Sequence, residues 1–252
     1  MQSMMTETHE EQGISVLSGP PGIGKTTAID AFAREHESEC LVVKVMPGSK
    51  GVGASPVAVL RTIIQAYCDT FDHTASLYLS SPLPHLTHEF RRLLTSAHYL
   101  HPEDLPHQRL TIIFDEAQYL KRVSIEMLRF WNDADRSAMP FSIGLVFVGN
   151  NEFALATTCD GESVLSEAVR DRVLHYEELD YINLSRDDLR AVAHARGVED
   201  PAAIAAIIHY FDATRLKQRS LRQLDRIIGS CSRNAGAKPI TLEVVNNTLN
   251  PQ

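Results

Sequence analysis

The stretch SVLSGPPGIGKTTAI, residues 15 to 29, limits what this 252-residue chain can fold into more than any other. Ile14 to Leu17 read as a short buried strand, and Thr26 to Arg34 read as the start of a helix. In the loop between them Gly19, Gly22 and Gly24 can adopt backbone angles closed to other residues, while Pro20 and Pro21 limit its freedom. Its spacing, Gly19-x4-Gly24-Lys25-Thr26, fits a phosphate-binding loop, in which backbone N–H groups surround phosphate oxygens at a helix N-terminus. The spacing therefore predicts ATP and Mg²⁺ as ligands. Gly19, Pro20, Pro21, Gly22, Ile23, Gly24, Lys25, Thr26 and Thr27 would line the nucleotide. Lys25 would face the β- and γ-phosphates, and the Thr26 hydroxyl would bind the metal.

A phosphate-binding loop of this kind needs a partner on the metal side. The segment LTIIFDEAQYL, residues 110 to 120, has the right character: an apolar strand that ends in Asp115 and Glu116. Asp115 would hold Mg²⁺, directly or through water, and Glu116 would orient and deprotonate the attacking water. A third strand, in GLVFVGNNEF at residues 144 to 153, ends in two asparagines whose amides could hold that water. By itself Gly-Asn-Asn reads as ordinary turn chemistry.

Strand-like runs at Ile14–Leu17, Leu41–Val45, Leu110–Phe114 and Ile143–Val148, with a weaker one at Val173–Tyr176, alternate with helical patterns such as Pro56–Phe71 and Val123–Trp131. This alternation predicts an α/β fold with a parallel sheet covered on both faces. Asp72 to Gln108 is less regular, with prolines bracketing one helix at His88–Tyr99, and reads as an insertion or a long crossover. After Asp180 the strands stop. Ser185-x-x-Asp188 resembles a capping box, Asp200-Pro201 reads as a cap followed by proline at the first helical position, and helices follow at about 186–196, 201–212, 217–233 and 241–249. The expected division is a P-loop core over 1–180 and a helical lid over 181–252.

Composition excludes several classes. With 44% hydrophobic and 22% charged residues the chain has a globular balance, and no apolar run approaches the ~20 residues of a membrane span. The polar, acidic opening MQSMMTETHEEQ lacks the character of a secretory leader. Cys40, Cys68, Cys159 and Cys231 lie far apart with no C-x-x-C pair, which predicts a reducing cytoplasm and no zinc site. A net charge of −8 argues against a uniformly basic nucleic-acid coat, but Arg215 to Lys238 gathers seven Lys and Arg against the single acid Asp225. That stretch is either a solvated helix face or a binding surface. Five histidines between His85 and His107 read as a polar, proline-rich loop, Trp131 as packing, and no Ser–His–Asp arrangement stands out.

Taken in order, GPPGIGKTT, IIFDEAQ, VFVGNN, EAVRDRV and SLRQLDRII resemble the AAA+ ATPases over nearly the whole chain. The resemblance implies an αβα sandwich with sheet order 5-1-4-3-2 and a C-terminal helical lid. It also implies Mg²⁺-dependent ATP hydrolysis between the subunits of a homo-oligomer, as a ring or helical filament. Asn150 matches sensor 1, ahead of Asn151; Arg172 resembles the arginine finger, with Arg170 as the other candidate; Arg222 resembles the sensor 2 arginine. Within the family the chain is similar to the transposition regulators TnsC, TniB and phage Mu B protein, which share the DEAQ form with ExeA-type ATPases. That likeness implies duplex DNA and a transposase as partners, with a target-selection protein as a further candidate. It places DNA contacts at Lys44, Ser49 and Lys50 in VKVMPGSKGVGASPVAVL. Little chain precedes Ile14, so Mu B's N-terminal DNA-binding domain and much of the adenine-side segment are expected to be absent. The competing expectations are a replication initiator or loader-type ATPase, and an ExeA-like assembly ATPase with no DNA role.

Overall fold

The computed structural model describes residues 1–47, 54–75, 81–100, 108–133, 141–155, 163–181, 184–213 and 220–249. The chain divides into two compact units: Met1–Ser18 with Lys25–Glu178, and Gly19–Gly24 with Leu179–Gln252. In the first unit the strands are β1 (Ile14–Ser18), β2 (Cys40–Lys44), β3 (Gln108–Asp115), β4 (Phe141–Gly149) and β5 (Val173–Glu178). Its helices are α1 (Gln2–Glu11), α2 (Lys25–Glu35), α3 (Pro56–Phe71), α4 (Leu83–Leu100), α5 (Arg122–Asn132), and the short α6 (Asn151–Leu155) and α7 (Glu167–Arg170).

The strands form one parallel sheet in the order β2-β3-β4-β1-β5, the order that the family resemblance implied. Burial follows position. All five residues of central β1 are buried, whereas edge strand β5 alternates half-buried and exposed residues. Stacking of Phe114 on Phe147, with ring centroids 5.4 Å apart, fills the space beside β3 and β4. Helix α3 buries Val59, Leu60, Ile63, Ile64 and Tyr67, a stripe at helical spacing, each such side chain contributing about 1.5–3 kcal/mol of burial. Its start is set by Ser55, whose side chain accepts from the Ala58 N–H, and by Pro56 in the first turn.

Register brings the chemistry to one edge. Lys44 of β2 and Val148 of β4 both stand opposite Asp115 of β3, and Ser18 of β1 stands opposite Gly149. Because β1 lies between β4 and β5 rather than beside β2, the chain reverses direction in the sheet at the carboxyl ends of β1 and β4. A crevice opens at such a switch point.

Two segments differ from the sequence expectation. The opening residues form α1, which the polar sequence concealed because its buried face is Met4, Met5, Thr8 and His9, half of it polar. Thr8 is satisfied by Ser15 Oγ at 2.6 Å and by the Met4 carbonyl at 2.6 Å, so it can pack on the sheet. The second is α4, which begins at Leu83, five residues before the expected start; Pro84 falls in its first turn, where a missing N–H costs nothing. Phe90 of α4 meets Trp131 of α5 edge-on at 5.1 Å, so the 72–108 stretch adds a core-packed helix to the β2–β3 crossover.

The second unit holds α8 (Arg186–Ala195), α9 (Pro201–Ala213), α10 (Leu221–Ala235) and α11 (Leu242–Leu249) around its own core of Leu189, Ile204, Ile207, Phe211, Leu224, Ile228 and Val245. The capping box at Ser185 and Asp188 is present, and Asp200 accepts from the Ala202 N–H at 2.9 Å. Among the described residues, Cys40 and Cys231 are buried free thiols, and burial pushes Cys40 up to about 12. No helix among the described residues is long and apolar enough to cross a membrane.

Candidate active site

In the first unit, α2 starts at Lys25 and β3 ends at Asp115, and these ends meet. The Thr26 hydroxyl donates to Asp115 Oδ2 at 3.4 Å. Two oxygens at that separation suit neighbouring positions on a hard cation with ligands at about 2.0–2.1 Å, so the pair fits Mg²⁺ after a small approach. Lys25 is half-buried; burial lowers its pKa, and the charges of Glu116 and Asp115 partly restore it. Asp115 is shifted upward, first by burial and then by Glu116, against the Glu116 N–H that it accepts at 3.0 Å and the charges of Lys44 and Lys25. A cation between Thr26 and Asp115 would remove that penalty. Thr26 and Thr27 are exposed and open to a ligand.

Glu116 occupies the left-handed region at φ 62, which costs a non-glycine residue about 1–3 kcal/mol. The turn that follows, Ala117–Tyr119, gives this strain a use. It brings Gln118 back beside the carboxylate, and Gln118 Nε2 donates to Glu116 Oε2 at 2.5 Å. The same amide's oxygen accepts from the Asn150 N–H at 3.2 Å. Gln118 thus joins Glu116 to the end of β4. It is the site residue that sequence reasoning missed, although it stood in the DEAQ motif. Its role comes from the left-handed turn, and no spacing rule reveals that. The Asn150 side chain caps α6, its Oδ1 accepting from the N–H groups of Glu152 at 3.1 Å and Phe153 at 3.2 Å. Asn151 is exposed.

In the second unit, the loop Gly19–Gly24 is packed against the start of α10. The Leu221 N–H donates to the Gly22 carbonyl at 2.7 Å, and the Tyr181 hydroxyl donates to the Pro21 carbonyl at 2.7 Å. Gly22 has φ +79, and a Cβ there would lie 3.0 Å from Ser220 Cβ and 3.3 Å from Arg222 Cβ. Gly24 has φ +100, with Leu221 Cδ1 at 3.1 Å from the same construction. Both the angles and the contacts call for glycine. Ile23 and Pro20 are buried and Pro21 exposed, while Arg222 is exposed on the first turn of α10. Tyr181 is a second residue that sequence reasoning did not single out.

The other expected site residues are scattered. Arg172 Nε donates to Asp133 Oδ1 at 2.7 Å, and Arg172 Nη1 donates to the Ala168 carbonyl at 2.9 Å, so this arginine is held within its own subunit. Asp133 also takes Arg129. Arg170 is exposed and makes no ion pair among the described residues. Lys44 is exposed at the end of β2, and its charge acts on Asp115, which ties it to the metal side of the site. Ser49 and Lys50 lie outside the described residues, as do Arg215, Lys217 and Arg219.

A comparison with curated proteins gives no match. Among solved structures, the Thermotoga maritima RuvB Holliday junction branch migration motor matches with a TM-score of 0.53 and 19% identity, over 98% of this chain and 66% of that one. The Aeropyrum pernix ORC2 protein matches with a TM-score of 0.60 and 15% identity, over 98% of this chain and 65% of that one. Cdc6p from Pyrobaculum aerophilum matches with a TM-score of 0.54 and 16% identity, over 93% of this chain and 58% of that one. At these identities the likeness is one of fold, and this chain spans less than two thirds of each structure's length. The family model for the AAA domain matches residues 8–155, more than half of the sequence, from the last turn of α1 to the end of α6. With its phosphate-binding loop, parallel five-stranded sheet and C-terminal helical region, the chain belongs to the AAA domain family and is an ATP-hydrolysing ATPase.

Proposed function

We propose that this chain works on duplex DNA as a homo-oligomeric, ATP-driven ATPase of the replication initiator or loader type. In this reading Lys25 faces the β- and γ-phosphates, Thr26 and Asp115 hold Mg²⁺, and Asn150 stands by the γ-phosphate. Bound there, Mg²⁺ would neutralise charge on the transferred phosphoryl group. Glu116 takes the proton of the attacking water while Gln118 fixes its carboxylate. Arg222 reports the nucleotide to the helical unit, and an arginine of the Arg170–Arg172 pair completes the neighbouring subunit's site.

One observation carries the DNA part. Arg222, Arg226 and Arg233 fall on one exposed face of α10, and the only acid of that stretch is neutralised elsewhere, since Asp225 accepts from Arg196 at 2.9 and 3.1 Å. None of the three is paired with an acid among the described residues, and a row of such guanidinium groups is suited to a phosphate backbone. The Thermotoga maritima protein of similar fold is a Holliday junction branch migration motor, which agrees with work on duplex DNA. A second reading, the transposition regulator that recruits or activates a transposase, is favoured by the DEAQ form of the second motif, in which Gln118 bridges Glu116 and Asn150.

The test is ATPase activity and duplex binding measured together across salt. ATP-loaded protein should bind duplex cooperatively, with log affinity falling by about 0.9 per phosphate contact for each log unit of salt. Arg226→Ala combined with Arg233→Ala should flatten that slope by about two contacts while leaving basal ATP hydrolysis unchanged. ATP-loaded protein that ignores duplex at low salt would sink the DNA reading, and an assembly ATPase with no DNA role would replace it.

A further inference from the structure

Away from the nucleotide, within the first unit, three side chains from separate stretches of chain converge: His9 of α1, His36 just beyond α2, and Glu39 just before β2. One ligand atom from each lies within 4.8 Å of the other two. His9 is buried, and its Nε2 lies 3.0 Å from Glu39 Oε2, close to the edge of a tetrahedral coordination shell. The His36 ring sits 4.5 Å from the His9 ring, centroid to centroid, and 4.3 Å from the Phe32 ring, to which it is tilted by 34°. Among the described residues His36 makes no hydrogen bond through its imidazole, so its nitrogens are available to a ligand.

From this convergence we infer that His9, His36 and Glu39 form a binding site for a divalent transition-metal ion of the Zn²⁺ class.

Three features favour it. The donor set, two imidazoles and a carboxylate, suits Zn²⁺ and disfavours Mg²⁺, which takes oxygen ligands, so this site is chemically distinct from the Thr26–Asp115 pair. His9 Nδ1 is 2.9 Å from Thr111 Oγ1, and this contact fixes the ring with Nε2 aimed at Glu39, the outer-shell support common to metal-bound histidines. The Glu39 side chain is 47% exposed against 6% for His9, which gives the ion a way in from solvent and leaves a fourth position for water.

Such an ion would do structural work at a useful place. It would tie the last turn of α1 to the end of α2, and α2 begins at Lys25 and Thr26. The His36 N–H still donates to the Phe32 carbonyl at 3.0 Å, so the ligand is carried on the helix's own hydrogen-bond ladder. The protein would thereby bind a second metal, independent of nucleotide, that holds α1 against the P-loop helix.

The experiment uses untagged full-length chain, stripped with a chelator and free of nucleotide. Zn²⁺ is added in equilibrium dialysis, and Co²⁺ serves as a probe whose visible absorption is intense in a tetrahedral site. One ion per chain is expected, together with a rise in the thermal midpoint on Zn²⁺ addition. His36→Ala and Glu39→Gln, both at partly exposed positions, should each weaken binding by about 100-fold or more and abolish the Co²⁺ spectrum. Thr111→Val should weaken it by about 10–100-fold. Asp115→Asn should leave it unchanged. His9→Ala removes a buried ring and is informative only if it folds, so the inference rests on the other variants. It is overturned if wild-type protein binds no Zn²⁺, or if binding survives both His36→Ala and Glu39→Gln, which would place the ion elsewhere, for instance in the histidine-rich 85–107 stretch.

Discussion

The interior of the site and its arginines are built on opposite principles. Lys25, Thr26, Asp115 and Glu116 are fixed where α2 starts and β3 ends, in a sheet whose central strands are buried, and each is gripped by hydrogen bonds or charge from the others. Arg170, Arg172 and Arg222 are all exposed, on the short α7, just beyond it and on α10, and among the described residues only Arg172 of the three is paired by an acid of its own subunit. A strand end leaves a side chain one place to go. An exposed arginine has many, and its role is decided by what it meets.

The largest expected effect breaks the tie between the two finger candidates. Asp133 already binds Arg172, so releasing Arg172 toward a neighbour would mean giving up an ion pair and the Ala168 carbonyl. Arg170 gives up nothing of that kind among the described residues. Arg170→Ala should therefore lower kcat by about 10³-fold with ATP affinity retained, the scale expected for an arginine finger, and Arg172→Ala by less than about tenfold. Mixing Arg170→Ala with Glu116→Gln protein should restore part of the activity, since mixed interfaces can pair an intact Glu116 with an intact Arg170. If Arg172→Ala shows the large loss and the rescue, then Asp133 is a resting place for the finger and the ranking reverses.

A smaller effect tests whether the interior is as tightly constrained as its hydrogen bonds indicate. Glu116→Gln should reduce kcat by about 10²-fold or more, because a general base is lost. Gln118→Ala leaves the base but frees its carboxylate and the link to Asn150, so kcat should fall by about tenfold with KM for ATP unchanged. The readout that separates positioning from damage is the conservative variant: Gln118→Asn, one methylene shorter, should recover little, while the thermal midpoint of both variants stays near wild type. If Gln118→Ala hydrolyses ATP normally, Glu116 is held by the strained turn alone.

The same contrast explains what was legible in the sequence. Strands with buried faces announce themselves as apolar runs, and the two loops rich in special residues, GPPGIGKTT and FDEAQ, carried their spacing openly. Sheet order was not readable from spacing and came only through the family resemblance. Helix α1 escaped because Thr8 and His9 are buried polar residues that find partners only in the folded state, on Ser15 and on Thr111 and Glu39. The His9–His36–Glu39 cluster escaped for the same reason, while the conspicuous histidine run between residues 85 and 107 drew attention instead. Lys44 was named as a candidate DNA contact, but its place opposite Asp115 follows from β2–β3 register, and a sequence does not state register.

The smallest expected effect concerns the two arginines one helical turn apart on α10. Arg222 and Arg226 are both exposed and both carry one charge, so a purely electrostatic role would make them equivalent. Their settings differ. Gly22 of the phosphate-binding loop approaches the backbone side of Arg222, and the neighbouring Leu221 N–H is bonded to the Gly22 carbonyl; Arg226 lies a full turn farther along the helix. Replacing a single exposed charge near a polyanionic ligand costs on the order of 1 kcal/mol, or about fivefold in affinity, provided the charge is close enough to escape screening over a Debye length of ~8 Å. One helical turn adds about 5.4 Å, enough to move Arg226 most of the way out of that range. Arg222→Ala should then raise KM for ATP by about fivefold in the absence of DNA, and Arg226→Ala by less than about twofold, with neither variant shifting the thermal midpoint. Raising salt should shrink the Arg222 effect and leave the Arg226 value where it is. Equal changes in KM for the two variants would mean that the face acts through its total charge. The hold of α10 on the loop would then rest on the Leu221–Gly22 hydrogen bond and the packing around it, with no part played by the arginine that the family pattern picks out.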